Sequence, residues 1–378
     1  MSRIRTIMAI FGTRPEIIKL APIIRQLDLH PRRFKTVNIS TGQHADLLLP
    51  FIKLFGVQVA EDLRVMQPGQ PLNALYAQIL AKVDTVLART QPDLVLVQGD
   101  TTTAAAATLA SFHRGVPVAH VEAGLRTADP HNPFPEEMNR RLISRMASYH
   151  FAATRGNLRN LRREGVERQR IYVTGNPVVD ALQHIGAKAE RSAELERVLT
   201  HTAGTRRITL TTHRRENFAV HLEDDLYALR TFIAHHADVS LIFPVHPNPI
   251  VRDQARAILA DCDRIHLLAP LDYVDFIHLL SESWLIVSDS GGVQEEAPSL
   301  GKRLLIIREN TERPEVLGTG LAFLAPNALR LSQLLEETYA EPDDKQQPLR
   351  NPFGRGDAGQ RITRIIHRLF NPKLVTPR

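Results

Sequence analysis

The chain alternates short, continuously apolar runs with amphipathic helical segments along most of its length. The apolar runs are rich in β-branched residues and form two series, 6–12, 36–40, 93–100, 116–122, 149–154 and 171–175, and then 207–213, 239–246, 264–270, 284–289 and 303–309. Strands that are apolar throughout, without alternation, are buried on both faces of their sheet. Strands that alternate with helices in this way form parallel sheets. We therefore predict an α/β fold with doubly wound parallel sheets.

Length and one break in the pattern predict two domains. A chain of 378 residues with 43% hydrophobic residues is longer than a single core usually accommodates. Residues 176–200 are polar and helical in pattern, without a strong strand, and they separate the two series of strands. We expect an N-terminal domain over 1–175 and a C-terminal domain over 176–358. A closing helix at about 359–371 is expected to pack back on the first domain.

Composition and charge limit the classes of partner. The chain has 47 Lys and Arg against 41 Asp and Glu, an excess that indicates a basic surface. The arginines of residues 159–170 have helical spacing and no interleaved aromatic residues, which favours a solvated helix face over a nucleic-acid site. One cysteine, Cys262, cannot form an internal disulfide, and no apolar stretch is long enough for a signal peptide or a membrane span. We expect a soluble cytoplasmic protein that binds neither nucleic acid nor membrane.

Polar residues gather where the predicted strands end. They are Asp100 and Glu122 in the first series, His213, His246 and Asp289 in the second, and Gly12 and Arg14 after the first strand. In open parallel sheets, ligands bind beyond the carboxyl ends of the strands. A single polar residue at such a place is often only a helix cap. The set from both halves predicts an active site in a crevice between two facing domains.

The segment 287–302 runs from a strand through Ser290, Gly291 and Gly292 into a helix. Glycines let the backbone approach a ligand closely, and a helix N-terminus attracts an anion. We predict a phosphate at this corner, with an ordinary glycine-rich connection as the alternative. A carboxylate in the first helical turn, Glu295 or Glu296, could bind ribose hydroxyls.

Several common sites have no counterpart in the sequence. It contains no G-x-x-x-x-G-K-[ST] phosphate loop, no G-x-G-x-x-G after a strand, and neither C-x-x-C nor H-E-x-x-H. These observations disfavour ATP hydrolysis at a phosphate loop, tightly held NAD and a dedicated metal site. We expect no cofactor and no metal.

Several segments over about residues 5–320 together resemble a known family. They are FGTRPEIIKLAPI, TGQH, MQPGQ, VQGDTTT, HVEAGLRT, PFPEEMNR, VTGNPVVDAL, THRREN, PVHPNP and DSGGVQEEAPSLGK with RENTERPE. The chain resembles the non-hydrolysing UDP-N-acetylglucosamine (UDP-GlcNAc) 2-epimerases of bacteria. The resemblance implies two Rossmann-like domains facing across a cleft, as in two-domain UDP-sugar glycosyltransferases, and a homodimer. It also implies reversible conversion of UDP-GlcNAc to UDP-N-acetylmannosamine (UDP-ManNAc), supplying ManNAc for cell-surface polysaccharide.

The chemistry implied by this resemblance needs carboxylates and a grip on a diphosphate. Carbon 2 of the sugar has no adjacent carbonyl, so elimination of UDP to a 2-acetamidoglucal, followed by re-addition, replaces simple proton removal. By similarity the acid/base carboxylates are Asp100, Glu122 and Glu136, with their order left open, and His213 lies near the leaving diphosphate. Two carboxylates close together would have separated pKa values, as acid/base partners require.

The resemblance also assigns binding residues. It places Arg14 and Lys19 at the phosphates or the sugar, Ser290, Gly291, Gly292 and Arg313 at the phosphates, and Glu296 at the ribose. A regulatory second UDP-GlcNAc site, present in some members, would use Gln43, Gln70, Arg214 and His246.

Four other functions fit the sequence less well. One is 2-epimerisation of a related UDP-2-acetamido sugar, such as a 2,3-diacetamido uronic acid, which a substrate panel would reveal. A hydrolysing relative would release free ManNAc. A UDP-sugar glycosyltransferase would need an acceptor surface and has little need for three carboxylates, and a non-catalytic sensor would not exchange the hydrogen at carbon 2.

Overall fold

The computed structural model describes residues 3–127, 129–188, 190–212, 222–341 and 351–371. The chain forms two compact units, a first unit of Met1–Ala181 with Phe353–Arg378 and a second unit of Leu182–Pro352. Each unit contains one parallel β-sheet with helices between its strands. In the described part of the chain no helix is both long and apolar enough to cross a membrane.

The first unit is built on a seven-stranded parallel sheet. The strand order is β3-β2-β1-β4-β5-β6-β7. The chain therefore places β2 and β3 on one side of β1 and then β4 to β7 on the other side. The strands are β1 (Arg5–Phe11), β2 (Phe34–Ser40), β3 (Glu61–Asp62), β4 (Leu94–Gln98), β5 (Val118–Val121), β6 (Tyr149–Ala152) and β7 (Ile171–Val173). Every residue of β4 and β5 is buried, as expected for strands covered on both faces.

Helices follow these strands and carry the residues that surround the strand ends. They are α1 (Arg14–Asp28), α2 (Ala45–Phe55), α3 (Leu72–Thr90), α4 (Thr102–His113), α5 (Glu136–Met146) and α6 (Arg155–Arg163). Helix α7 (Pro177–Lys188) begins in the first unit and ends in the second. Helix α4 is almost entirely buried because it is rich in alanine and threonine, whose small side chains allow close packing against α3 and α5.

The second unit has a six-stranded parallel sheet of order β10-β9-β8-β11-β12-β13. Its strands are β8 (Arg206–Thr211), β9 (Val239–Pro244), β10 (Ile265–Leu268), β11 (Leu285–Ser288), β12 (Arg303–Ile306) and β13 (Ala322–Leu324). Its helices are α8 (Ala193–His201), α9 (Leu222–His235), α10 (Pro249–Leu259), α11 (Tyr273–Ser281), α12 (Val293–Ser299) and α13 (Ala328–Ala340). One apolar cluster joins five of the strands, β8 to β12, to helices α9, α10 and α13.

The last described helix, α14 (Ala358–Phe370), returns to the first unit and packs against α1. Its N-terminus is held by Asp180 of α7, whose carboxylate accepts the backbone N–H groups of Ala358 at 3.1 Å and Gly359 at 2.9 Å. A Cβ at Gly359 would lie 2.8 Å from the carbonyl oxygen of Pro22, so glycine allows the two helices to approach this closely.

The predicted fold class of two doubly wound parallel sheets is confirmed. Strands β3 and β13 were not predicted, because they have two and three residues and pair on one side only, at the sheet edges. Several predicted strands continue too far. The run 93–100, for example, leaves the sheet after Gln98, and its last residues form the loop before α4.

Candidate active site

Glu122 lies directly after β5 and is the centre of a buried network in the first unit. Its Oε2 pairs with Nζ of Lys19 from α1, and the two side chains are 8% and 9% exposed. The same oxygen accepts Nε2 of Gln98 and Nδ2 of Asn176, each at 3.2 Å. Three donors stabilise the charged form of a carboxylate and fix its orientation.

The backbone of Glu122 has φ of 64°, in the left-handed region that non-glycine residues rarely adopt. Such conformations persist where surrounding contacts hold them, and they are concentrated at functional sites. Here the side-chain network and the backbone conformation together direct the carboxylate toward Lys19.

Asp100 lies just beyond β4, the neighbour of β5, and is held from α5. Arg140 approaches its Oδ2 through Nε at 2.7 Å and Nη2 at 2.5 Å. Nδ2 of Asn139 donates to the backbone oxygen of Asp100 at 2.9 Å. Arg140 also contacts the fully buried Glu137 at 3.2 Å, so one guanidinium serves two carboxylates.

Glu136 is the first residue of α5 and is half-buried. It precedes Asn139 and Arg140 on the same helix, so the first turns of α5 carry the predicted carboxylate and two residues that hold Asp100. The structure therefore brings Lys19 to Glu122 and α5 to Asp100.

Arg14 and Gln43 flank the turn between β1 and α1. Arg14 is exposed, with its guanidinium carbon 5.9 Å from the ring centre of Phe51. The side-chain oxygen of Gln43 accepts the Thr103 hydroxyl at 2.8 Å, beside Gly12. Gln70 instead contacts Gln78 at 2.9 Å, eight residues along the chain.

The corner of Ser290, Gly291 and Gly292 lies between β11 and α12 in the second unit. A Cβ at Gly291 would be 2.8 Å from Nη1 of Arg313, so the guanidinium packs directly on the glycine. Arg313 donates to Glu295 through Nε at 2.7 Å and to Glu312 through Nη1 at 2.8 Å. The corner thus contains a cation held between two buried carboxylates.

Glu296 contacts a different residue from its neighbour Glu295. Its Oε1 accepts the hydroxyl of Tyr273 at 2.7 Å, from the first residue of α11. Asp289 follows β11 and is fully buried. Burial, together with the nearby charges of Asp224 and Asp289, raises the pKa of Asp225 to about 7.

His246 is half-buried after β9, and its Nδ1 accepts the backbone N–H of Asn248 at 3.2 Å. His213 and Arg214 lie outside the described residues. Among the described residues, no group of three or more His, Cys, Asp or Glu side chains is arranged to hold a metal ion.

Sequence reasoning missed Glu16, Gln98, Arg140 and Asn176. Glu16 is fully buried, and burial raises its pKa to about 7 although four hydrogen bonds oppose the shift. The only sequence signal was Thr13 followed three residues later by Glu16, the pattern of a helix cap. The partners of the other three are distant in sequence, so no local pattern reveals them.

Comparison with known proteins gives a consistent result over nearly the whole chain. A family model described as UDP-N-acetylglucosamine 2-epimerase matches residues 26–367. The UDP-N-acetylglucosamine 2-epimerase of Salmonella typhimurium is 40% identical over 368 residues, covering 95% of this chain and 98% of that protein.

Two solved structures align with the chain over both units. The UDP-GlcNAc 2-epimerase from Neisseria meningitidis bound to UDP-GlcNAc has a TM-score of 0.88 and 35% identity, covering 96% of this chain and 100% of that one. A Staphylococcus aureus MnaA–UDP structure has a TM-score of 0.88 and 36% identity, covering 99% of each chain.

Proposed function

The chain belongs to the UDP-N-acetylglucosamine 2-epimerase family, and from this premise we propose that it interconverts UDP-GlcNAc and UDP-ManNAc. The observation that carries the proposal is 40% identity with a named epimerase over 95% of the chain. The bound ligands of the two solved relatives, UDP-GlcNAc and UDP, support a UDP-sugar substrate. The buried carboxylate network supports acid/base chemistry.

The reaction proceeds by elimination and re-addition. A carboxylate takes the proton from carbon 2 while the bond from carbon 1 to the UDP oxygen breaks, and the electron pair of the C–H bond forms a C1–C2 double bond. The products held on the enzyme are 2-acetamidoglucal and UDP. A proton then returns to the opposite face of carbon 2, and the UDP oxygen re-adds to carbon 1. No electrons are gained or lost overall.

The proton transfers are assigned to carboxylates among Asp100, Glu122 and Glu136. Microscopic reversibility requires that the base of one direction is the acid of the other. Arg140 pairs with Asp100 and Lys19 pairs with Glu122, so each carboxylate is held in place by a cation. Lys19 can also stabilise charge that develops in the transition state.

The leaving diphosphate is assigned to cations and backbone donors. The phosphates would be bound by Ser290, Gly291, Gly292 and Arg313, and the ribose by Glu296. Arg14 and His213 would stabilise the negative charge of the leaving diphosphate. Arg313 lies against Gly291, which supports a shared role for the two residues. A phosphate would then meet an arginine already oriented by Glu295 and Glu312.

Three wider proposals rest on the family resemblance. The enzyme would act in the cytoplasm, as a homodimer, and would supply ManNAc for cell-surface polysaccharide. Light scattering after gel filtration tests the dimer. Gln43, Gln70, Arg214 and His246 would form a regulatory UDP-GlcNAc site, and a sigmoidal dependence of rate on UDP-GlcNAc would support it.

Conversion of pure UDP-GlcNAc followed by proton NMR tests the function. We expect the anomeric signal of UDP-ManNAc to rise to a constant ratio with that of UDP-GlcNAc. Glu122→Gln and Asp100→Asn should each lower kcat at least about 100-fold, because each loses a proton-transfer group. Asp84→Asn, which removes only an exposed ion pair with Arg114, should keep the wild-type rate.

Other products would contradict the proposal. Steady accumulation of free ManNAc and UDP would indicate a hydrolysing enzyme. Unchanged UDP-GlcNAc together with turnover of a 2,3-diacetamido uronic acid nucleotide would assign the chain to the alternative substrate.

A further inference from the structure

Glu16 is fully buried in the third position of α1, beside the strand ends that carry the proposed site. Its Oε2 accepts three hydrogen bonds from the β1–α1 turn, from the backbone N–H groups of Gly12 at 2.9 Å and Thr13 at 2.8 Å and from the Thr13 hydroxyl at 2.9 Å. A helix cap of this kind needs only the bond to the N-cap backbone. The carboxylate therefore has more contacts than capping requires.

Its other oxygen makes the contact that capping does not explain. Oε1 of Glu16 accepts the hydroxyl of Thr101 at 2.8 Å, across 85 residues of sequence. The Thr101 hydroxyl in turn accepts the backbone N–H of Ala104 at 3.0 Å and so caps α4. A hydroxyl has one proton to donate, so its donation is committed to Glu16.

This bridge connects two groups of residues in the proposed site. Thr101 directly follows Asp100, while Glu16 lies on the same helix as Lys19, one turn earlier. Strands β1 and β4 are neighbours in the sheet, so the turns that follow them lie side by side. Through Glu16 the N-termini of α1 and α4 are fixed to each other at one carboxyl group.

We propose that Glu16 is a positioning residue for the epimerisation, holding Lys19 of α1 and Asp100 after β4 in register by bridging Thr13 and Thr101. This inference rests on the proposed function. Burial raises the pKa of Glu16 to about 7, which shows that a charged carboxylate is costly at this place. A site that needed only a cap would be served by an uncharged side chain.

A double-mutant cycle tests the bridge, with kcat and KM for UDP-GlcNAc measured separately. Glu16→Ala and Thr101→Val should each lower kcat about tenfold and change KM less than about threefold. The double variant should lose about the same tenfold, because both changes break one connection. Glu16→Gln should retain at least about a third of kcat, since its amide can donate to the Thr101 hydroxyl while its oxygen keeps the Gly12 and Thr13 bonds.

Thr154→Val is the matched control. Thr154 is a buried threonine in the same unit that caps α6 by accepting the backbone N–H of Asn157 at 3.1 Å. This variant should lower the thermal midpoint about as much as Thr101→Val and leave kcat within about twofold of wild type. Equal losses of kcat in Thr101→Val and Thr154→Val would overturn the inference. A hundredfold loss of kcat in the Glu16→Ala/Thr101→Val double variant would also overturn it.

Hydrogen exchange measured by mass spectrometry tests the bridge without relying on activity. Glu16→Ala should speed amide exchange in residues 12–16 and 99–104, whereas Thr154→Val should not. Unchanged exchange in 99–104 would overturn the inference. A wild-type chain that leaves UDP-GlcNAc unchanged would instead contradict the proposed function, and exchange would still decide whether Glu16 joins the two turns.

Discussion

At the scale of single residues, and among the glycines of the second unit that the structure describes, Gly291 is the one at which an added Cβ would meet the closest neighbour, Nη1 of Arg313 at 2.8 Å. The guanidinium of Arg313 occupies the space where a side chain at position 291 would begin. Glu295 and Glu312 hold that guanidinium by two hydrogen bonds. Its withdrawal would break both of these hydrogen bonds to buried carboxylates, which is costly. A glycine at 291 is therefore required by the arginine behind it.

Gly291→Ala should weaken UDP binding about tenfold or more, because the new methyl group displaces Arg313 from the corner. Isothermal titration with UDP measures the effect. Gly318→Ala is the matched control in the same unit, since a Cβ there meets no atom within 4 Å. It should bind UDP like wild type.

Unchanged UDP affinity in Gly291→Ala would contradict the assignment of this corner to the phosphates. Equal weakening in Gly318→Ala would show that the loss does not depend on the Arg313 contact.

At the scale of elements, helix α14 is fixed to the first unit by residues of two other helices. Asp180 of α7 accepts the first two N–H groups of α14, and Gly359 packs against the backbone of Pro22 in α1. The ring of Phe370 at the other end lies 4.9 Å below the guanidinium of Arg5. A helix N-terminus has unpaired N–H groups, and here a distant helix supplies the acceptor.

Asp180→Ala should destabilise the first unit by about 1–2 kcal/mol, because it leaves two N–H groups of α14 without this acceptor. Asp357→Ala removes the neighbouring carboxylate, which makes only an exposed ion pair with Arg361, and should cost less than about 0.5 kcal/mol. Chemical unfolding followed by circular dichroism compares the two. A larger loss in Asp357→Ala would contradict the capping role of Asp180.

The sequence allowed most elements of the fold to be predicted, but only part of the site. The strands were found because β-branched apolar runs are local patterns, and Asp100 and Glu122 because strand ends can be read along the chain. Asn176 contacts Glu122 across 54 residues, and Thr101 contacts Glu16 across 85. Such contacts arise only when distant turns meet at one sheet edge, so no local pattern predicts them.

At the scale of the whole molecule, buried ionisable groups act on stability in opposite directions. Burial lowers the pKa of His120 to about 4 and of His150 to about 3, and nearby arginines add to both shifts. Burial raises the pKa of Glu16 and of Asp225 to about 7. Because the unfolded histidines bind protons below their ordinary pKa of 6.5 and the folded ones do not, the free energy of unfolding falls as the pH is lowered below 6.5. The buried carboxyls have the opposite effect, and the free energy of unfolding falls as the pH rises toward 7.

His150→Phe should therefore gain stability relative to wild type as the solution is acidified. Proton uptake by an unfolded histidine is worth about 1.4 kcal/mol per pH unit below 6.5, so the gain between pH 7 and pH 5 is about 2 kcal/mol. Urea unfolding at the two pH values measures it. Phe151→Leu, which changes a buried neighbour of His150 in β6 and removes no titratable group, should show the same stability difference from wild type at both pH values. A difference for His150→Phe that does not change with pH would contradict the account.

In the proposed mechanism, a protein carboxylate removes the hydrogen at carbon 2, and a proton returns from the opposite face while UDP is detached. Incubation of the wild-type chain with UDP-GlcNAc in heavy water, followed by proton NMR, is the experiment that tests this mechanism. We expect UDP-ManNAc to form with deuterium at carbon 2, and the carbon 2 proton signal of UDP-GlcNAc to disappear as equilibrium is approached. UDP-ManNAc that retains its original hydrogen at carbon 2 would contradict proton removal by the enzyme.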